Sequence, residues 1–171
     1  MTLGHGKILP GLRMNFNFLA WIFVVVIAIH NFEEALLLPK WSRSAGHWHA
    51  PVGEHEFRFA VIVLTLLAGL IAFLAVRRYE VGICLLCGYA LAMALNVLLP
   101  HVAATVAMRR YAPGTATAVL LNLPVCVSLL VTAGQEHLVS WRTFAWVAPL
   151  TIAGILGSIP ILFRMGRVIF R

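Results

Sequence analysis

The sequence predicts an all-α protein: a polytopic membrane helical bundle of about five transmembrane helices, one integral domain over residues 1–171. Three observations predict it. The chain is 61% hydrophobic and 11% charged, where a soluble domain is nearer half apolar and a quarter charged. Its mean hydropathy is +0.93. Its apolar residues fall into five runs, each long enough to cross ~30 Å of hydrocarbon at ~1.5 Å per residue. This composition excludes a soluble enzyme, a disordered chain and a secreted disulfide scaffold. The runs lack the alternation of membrane strands, and no internal repeat or low-complexity segment stands out.

The runs follow in order. Residues 1–15 form a short basic lead containing Gly and Pro. The first span covers residues 16–38 and ends at Pro39. It is too long for a signal peptide, carries ionisable groups and lacks a small-residue cleavage site, so it is expected to stay as a span. The second covers 59–76, closed by Arg77 and Arg78, and the third 81–108, closed by Arg109 and Arg110. The fourth covers 116–133. The fifth covers 143–163 and leads into a basic tail with Arg164, Arg167 and Arg171. Trp21, Trp41, Trp48, Trp141 and Trp146 fall near span ends, as interface belts require.

The net charge is +7, from 13 Lys and Arg against 6 acids, all of them Glu. The charges are scattered through loops, which suits anionic lipid headgroups better than nucleic acid. With five spans the termini lie on opposite sides. The N-terminal side then holds Lys7, Arg13, Arg77, Arg78 and Arg142, and the C-terminal side Lys40, Arg43, Arg58, Arg109, Arg110, Arg164, Arg167 and Arg171. The positive-inside rule favours a cytoplasmic C-terminus, in a bacterial cell membrane. Homo-oligomers remain open.

The chemistry concentrates in His30-Asn31-Phe32-Glu33-Glu34. Positions i, i+3 and i+4 share a helix face, so an imidazole and two carboxylates project together from a lipid-embedded helix. A charged group at mid-helix costs ~2.5–3.5 kcal/mol on insertion scales. Metal coordination, protonation of one carboxylate or pairing with a cation would offset that. The plainer reading is a turn that snorkels to the interface, but Ala35–Leu38 continue the apolar run beyond it. His101 stands at similar depth on the third span, after Asn96 and Pro100. Pro100 is expected to kink its helix and free the Asn96 carbonyl, as where a cavity is lined. Tyr111-Ala112-Pro113-Gly114 follows, with Pro and Gly placed for a type II turn. It is a plain connector by itself, but it lies on the membrane side of the His/Glu cluster, where the Tyr111 hydroxyl could reach in as a donor.

With these residues the chain resembles the HXXEE domain family of small integral membrane proteins. That family is marked by H-x-x-E-E, a further histidine and Y-x-P-G. Here these are His30, Glu33 and Glu34, then His101, then Tyr111, Pro113 and Gly114, in that order. The resemblance spans about half the chain. It strengthens the site and implies no reaction.

Other polar groups carry weaker signals. His47-Trp48-His49 and Glu54-His55-Glu56 form a loop on the same side; they could cap the site, though a solvated interfacial loop explains them as well. Glu136 and His137 read as surface groups on the other side. Cys84 and Cys87 form a CxxC that resembles membrane thiol oxidoreductases, but only Cys126 remains where a second pair is needed. Buried small residues explain them better.

A ferritin-type di-iron centre draws on about four Glu and two His, more than one chain supplies within its spans. A divalent metal, zinc before iron, fits better: three protein ligands and an open water position. His30, His101 and one of Glu33 or Glu34 would be ligands. The other Glu would serve as general base to a bound water whose pKa falls toward 7. Tyr111 or Asn96 would stabilise developing negative charge. The expectation is hydrolysis or hydration of a small lipophilic substrate entering from the bilayer. The first alternative is a metal-free acid/base isomerase or cyclase acting on a lipid or isoprenoid-type substrate, because adjacent carboxylates do not both ionise cheaply. The second is a proton-coupled transporter, since intramembrane Glu and His serve in relays. Against it, the second and fifth spans carry no ionisable residue.

Overall fold

Asn15 opens the first helix, α1 (Phe16–Ser42), by accepting the Phe18 amide on its side chain at 2.8 Å. Here the structure is a computed structural model, describing residues 14–170 apart from the side chain of His47. Lys7, Arg13 and Arg171, counted in the charge comparison, lie outside the described residues. Glu136 accepts the Phe16 amide at 3.2 Å and lies 3.8 Å from Arg78. A carboxylate at the positive end of the helix dipole is stabilising, so Glu136 caps α1 and is more than a surface group. His137 beside it is exposed.

α1 runs through Pro39, where the first span is expected to end. A proline removes the amide that would bond the carbonyl four residues earlier. That carbonyl, Ala35 O, instead accepts Arg58 Nε at 3.5 Å. A short turn at Gly46–Trp48 leads to α2 (Glu54–Val76). It starts five residues before the expected 59, because Glu54 and Glu56 suit the first turn of a helix. The expected third run is not one continuous helix. α3 (Glu80–Asn96) gives way to a wide turn over Val97–Val102, with Leu99 at φ −130° and ψ 112°, before α4 (Ala103–Met108). Pro100 sits in that turn and cannot donate a helical hydrogen bond. After the loop, α5 (Thr115–Thr117) passes through a second wide turn, Ala118–Asn122, into α6 (Leu123–Gln135). α7 (Trp141–Ile169) absorbs Pro149 and Pro160 and outruns the expected 143–163 at both ends.

Among the described residues every regular element is helical. Five helices are long and apolar enough to cross a membrane: Phe16–Ser42, Glu54–Val76, Glu80–Met108, Thr115–Gln135 and Trp141–Ile169. The outer face of α1 presents Phe18, Trp21, Val25, Ile29, Phe32 and Leu36, a surface suited to lipid rather than water.

α1 packs on α2 and α6, and α3 packs on the same two helices, closing a ring of four. α7 lies outside that ring against α2 and α3. The ring's core joins Leu19, Phe23 and Ile27 to Ala68, Ala72, Leu86, Tyr89 and Leu129, with Phe23 and Tyr89 edge to face at 5.5 Å. Small residues let membrane helices approach closely. At Gly88, where α7 crosses α3, an added Cβ would lie 2.8 Å from Thr151. Cys84, Cys87 and Cys126 are buried as free thiols.

Candidate metal centre

His30 lies at the middle of α1, with Glu34 one turn further on the same face. The break after α3 supplies the facing group. On a continuous helix Asn96 and His101, five positions apart, would be separated by roughly 140° around the axis. Across the wide turn Asn96 Nδ2 instead lies 3.0 Å from His101 Nε2. His101 meets His30 edge to face, ring centres 4.9 Å apart. Glu34 reaches between them, Oε1 3.5 Å from His101 Nε2 and Oε2 3.8 Å from His30 Nε2. One ligand atom from each residue lies within 4.8 Å of the other two. A tetrahedral site with ~2.1 Å bonds has ligand-to-ligand edges of roughly 3.4 Å. The two carboxylate-to-imidazole distances stand near that edge, and the set as a whole, at up to 4.8 Å, would draw in to close on an ion.

The outward ring nitrogens fix which way the lone pairs point. His101 Nδ1 lies 3.1 Å from the Pro113 carbonyl, which can only accept. We therefore assign the proton to Nδ1 and the lone pair to Nε2. His30 Nδ1 lies 3.0 Å from Thr117 Oγ1. The Thr117 hydroxyl has one proton and two acceptors of its own, Glu33 Oε2 at 2.6 Å and the Gly114 carbonyl at 3.1 Å. It donates to one of them and accepts from His30. His30 Nε2 is then a bare lone pair, buried and without a hydrogen-bond partner among the described residues. Buried polar atoms are seldom left so. Two imidazole lone pairs and a carboxylate facing one another are what a cation would satisfy.

Glu33, adjacent in sequence, turns to a different set of partners. It accepts the Tyr111 hydroxyl in a short hydrogen bond, the Gly114 amide at 3.0 Å and the Thr117 hydroxyl. The expected type II turn is present: Thr115 N donates to Ala112 O at 3.2 Å, and Gly114 has φ +86°. A Cβ at Gly114 would come within 2.7 Å of His101 Cε1 and 2.9 Å of His30 Cε1. Glycine is thus required twice there, by its conformation and by contact with both rings. Thr105 holds the loop, accepting the Ala112 amide at 3.2 Å and lying 2.9 Å from Thr115 Oγ1. Tyr111 lies outside the membrane-spanning helices. Partial burial, then donation to Glu33, raises its phenol above the ordinary value, so the donor persists at neutral pH and is lost only as pH climbs past that raised value.

His30, Glu34 and Asn96 also line a cavity of about 270 Å³ between α1, α2, α3 and α7. Glu33 and Tyr111 do not line it. His49 does, at the loop end, with Nδ1 2.6 Å from the Ala50 carbonyl. The suggested partner of His49, His47, lies outside the described side chains. His55 stacks on Phe170, and Glu54 pairs with Arg58 and Arg43, away from the centre.

The structure therefore brings together His30, Glu34, His101 and Asn96, with Glu33 and Tyr111 one layer out. Thr117 is the residue that sequence reading missed. Its signal is faint, a hydroxyl one helical turn past the Y-x-P-G glycine at the start of an apolar run.

The profile described as "Protein of unknown function with HXXEE motif" matches residues 21–129. "Uncharacterized protein YrkK" of Bacillus subtilis (strain 168) is 38% identical over 148 residues, 84% of this chain and 92% of that one. No solved structure matches. The profile covers more than half of the chain and every residue of the cluster, and the protein belongs to the HXXEE family.

Proposed function

We propose that this protein is a membrane-embedded metalloenzyme that hydrolyses or hydrates a small lipophilic substrate. The observation that carries the reading is the convergence of His30 Nε2, His101 Nε2 and the Glu34 carboxylate, the first of these buried and without a hydrogen-bond partner among the described residues. A divalent metal, zinc before iron by ligand type, would be held by these three residues. When bound it would supply Lewis acidity and activate a water. The chain's own groups do the rest. Glu33 and Tyr111 act through Thr117 and Gly114 as positioning groups rather than as base. Asn96 rests against His101 Nε2, the lone pair that would hold the metal; with that lone pair engaged, the Asn96 amide would be free to donate to negative charge developing in the cavity. The apolar walls keep bulk water from the reacting group. The centre belongs on the cytoplasmic, C-terminal side of a bacterial cell membrane, a topology that reporter fusions at both termini would check.

Elemental analysis of chelator-free protein tests the reading. About one zinc or iron per chain is expected in wild type, with loss in His30→Ala, His101→Ala and Glu34→Gln. Glu33→Gln should keep metal with weaker hold, Tyr111→Phe should lose activity mildly, and His137→Ala should match wild type. Metal-free wild type would overturn the proposal and favour acid/base isomerisation or cyclisation at the same residues.

A further inference from the structure

The cavity beside the centre has two unlike walls. His30, Glu34 and Asn96 lie on one, contributed by α1 and the end of α3. The opposite wall is wholly apolar: Phe57, Ala60, Val61 and Leu64 from α2, Ile155, Leu156, Ile159 and Phe163 from α7. It is also deep relative to its volume. Its lining runs from Phe57 to Leu64 on α2, from Tyr89 to Asn96 on α3 and from Ile155 to Phe163 on α7. At 1.5 Å per residue, each helix lines roughly 10–12 Å of depth. The volume of about 270 Å³ falls just below the ~300–1,000 Å³ usual for drug-sized ligands. That volume suits one narrow chain better than two chains or a fused-ring body.

Resting on the metal-centre reading, we propose that the ligand is a single-chain amphiphile. Its reacting polar group lies against His30, Glu34 and Asn96, and its chain lies along the α2–α7 wall. An extended chain advances roughly 1.2 Å per bond, so the slot accepts about eight to ten carbons. The plain bilayer offers the same chain no polar, metal-bearing wall, so selection rests on presenting both surfaces at once.

The probes are acetohydroxamate and octanohydroxamate, the same metal-chelating head without and with a chain, titrated into zinc-loaded full-length protein in nanodiscs. Wild type should bind both. Ala60→Trp, which fills the slot from α2, should weaken octanohydroxamate at least tenfold and leave zinc content and acetohydroxamate affinity within about twofold. Ile159→Trp does the same from α7, where Ile159 is half-buried against the slot, and carries the test if Ala60→Trp does not fold. Equal octanohydroxamate affinity in wild type and Ile159→Trp would overturn the chain's placement while leaving the centre standing. Wild type that retains no zinc, or zinc-loaded protein that ignores acetohydroxamate, would end the centre and this inference together.

Discussion

Thr117 carries one proton among a histidine, a carboxylate and a carbonyl, and its way of sharing that proton decides whether His30 offers a lone pair inward. Partners of this kind commonly change metal affinity 10–100-fold when removed. Thr117→Val keeps the shape and deletes the hydroxyl, so it should weaken zinc binding by about that factor in a chelator competition, with Thr117→Ser close to wild type. Equal affinity in the valine variant would remove Thr117 from the account. Gly114 makes the complementary case from crowding. Gly114→Ala places a methyl against both imidazole rings and forces a non-glycine residue into left-handed backbone, itself worth roughly 1–2 kcal/mol. Lower thermal stability together with lost metal is expected. Full metal content in a stable Gly114→Ala protein would contradict the packing described.

The wide turn between α3 and α4 is what assembles the centre. Without it His101 would lie around the helix from Asn96 and away from α1. Pro100→Ala restores an amide donor there and lets the helix close, so metal should be lost while circular dichroism still reports a helical bundle. Retained metal would show that the loop after α4, not the break, holds His101. The legibility of the sequence divides along the same line. Apolar run length predicted every spanning helix, because burial of backbone groups in lipid leaves few alternatives. His30, Glu34 and His101 were legible because ionisable groups in such runs are conspicuous. Some helix ends were legible, at Phe16, Val76 and Met108, and others were not: Pro39 lies within α1, where Arg58, distant in sequence, takes up the carbonyl it frees. Nor was the separation of Glu33 from Glu34, since i+3 and i+4 are equivalent until a neighbouring loop arrives to claim one of them. Thr117 and Glu136 belong to the same class, ordinary polar residues whose partners come from far along the chain.

In the assembled molecule, the four-helix ring and α7 answer different demands. Gly88 sets how closely α7 approaches α3. Gly88→Val should push α7 outward and weaken octanohydroxamate binding, with zinc content unchanged; coincident loss of both would mean that α7 also supports the centre. The family profile, residues 21–129, ends within α6 and leaves all of α7 outside it. Yet α7 supplies half of the apolar wall. On the proposed reading, half of the wall that would hold the ligand's chain therefore lies beyond the stretch that carries the centre, and the α2 half lies within it. If that reading holds, substitutions along α7 would alter the guest without moving a single ligand lone pair, a separation through which one reactive centre would be refitted to new hydrocarbon chains.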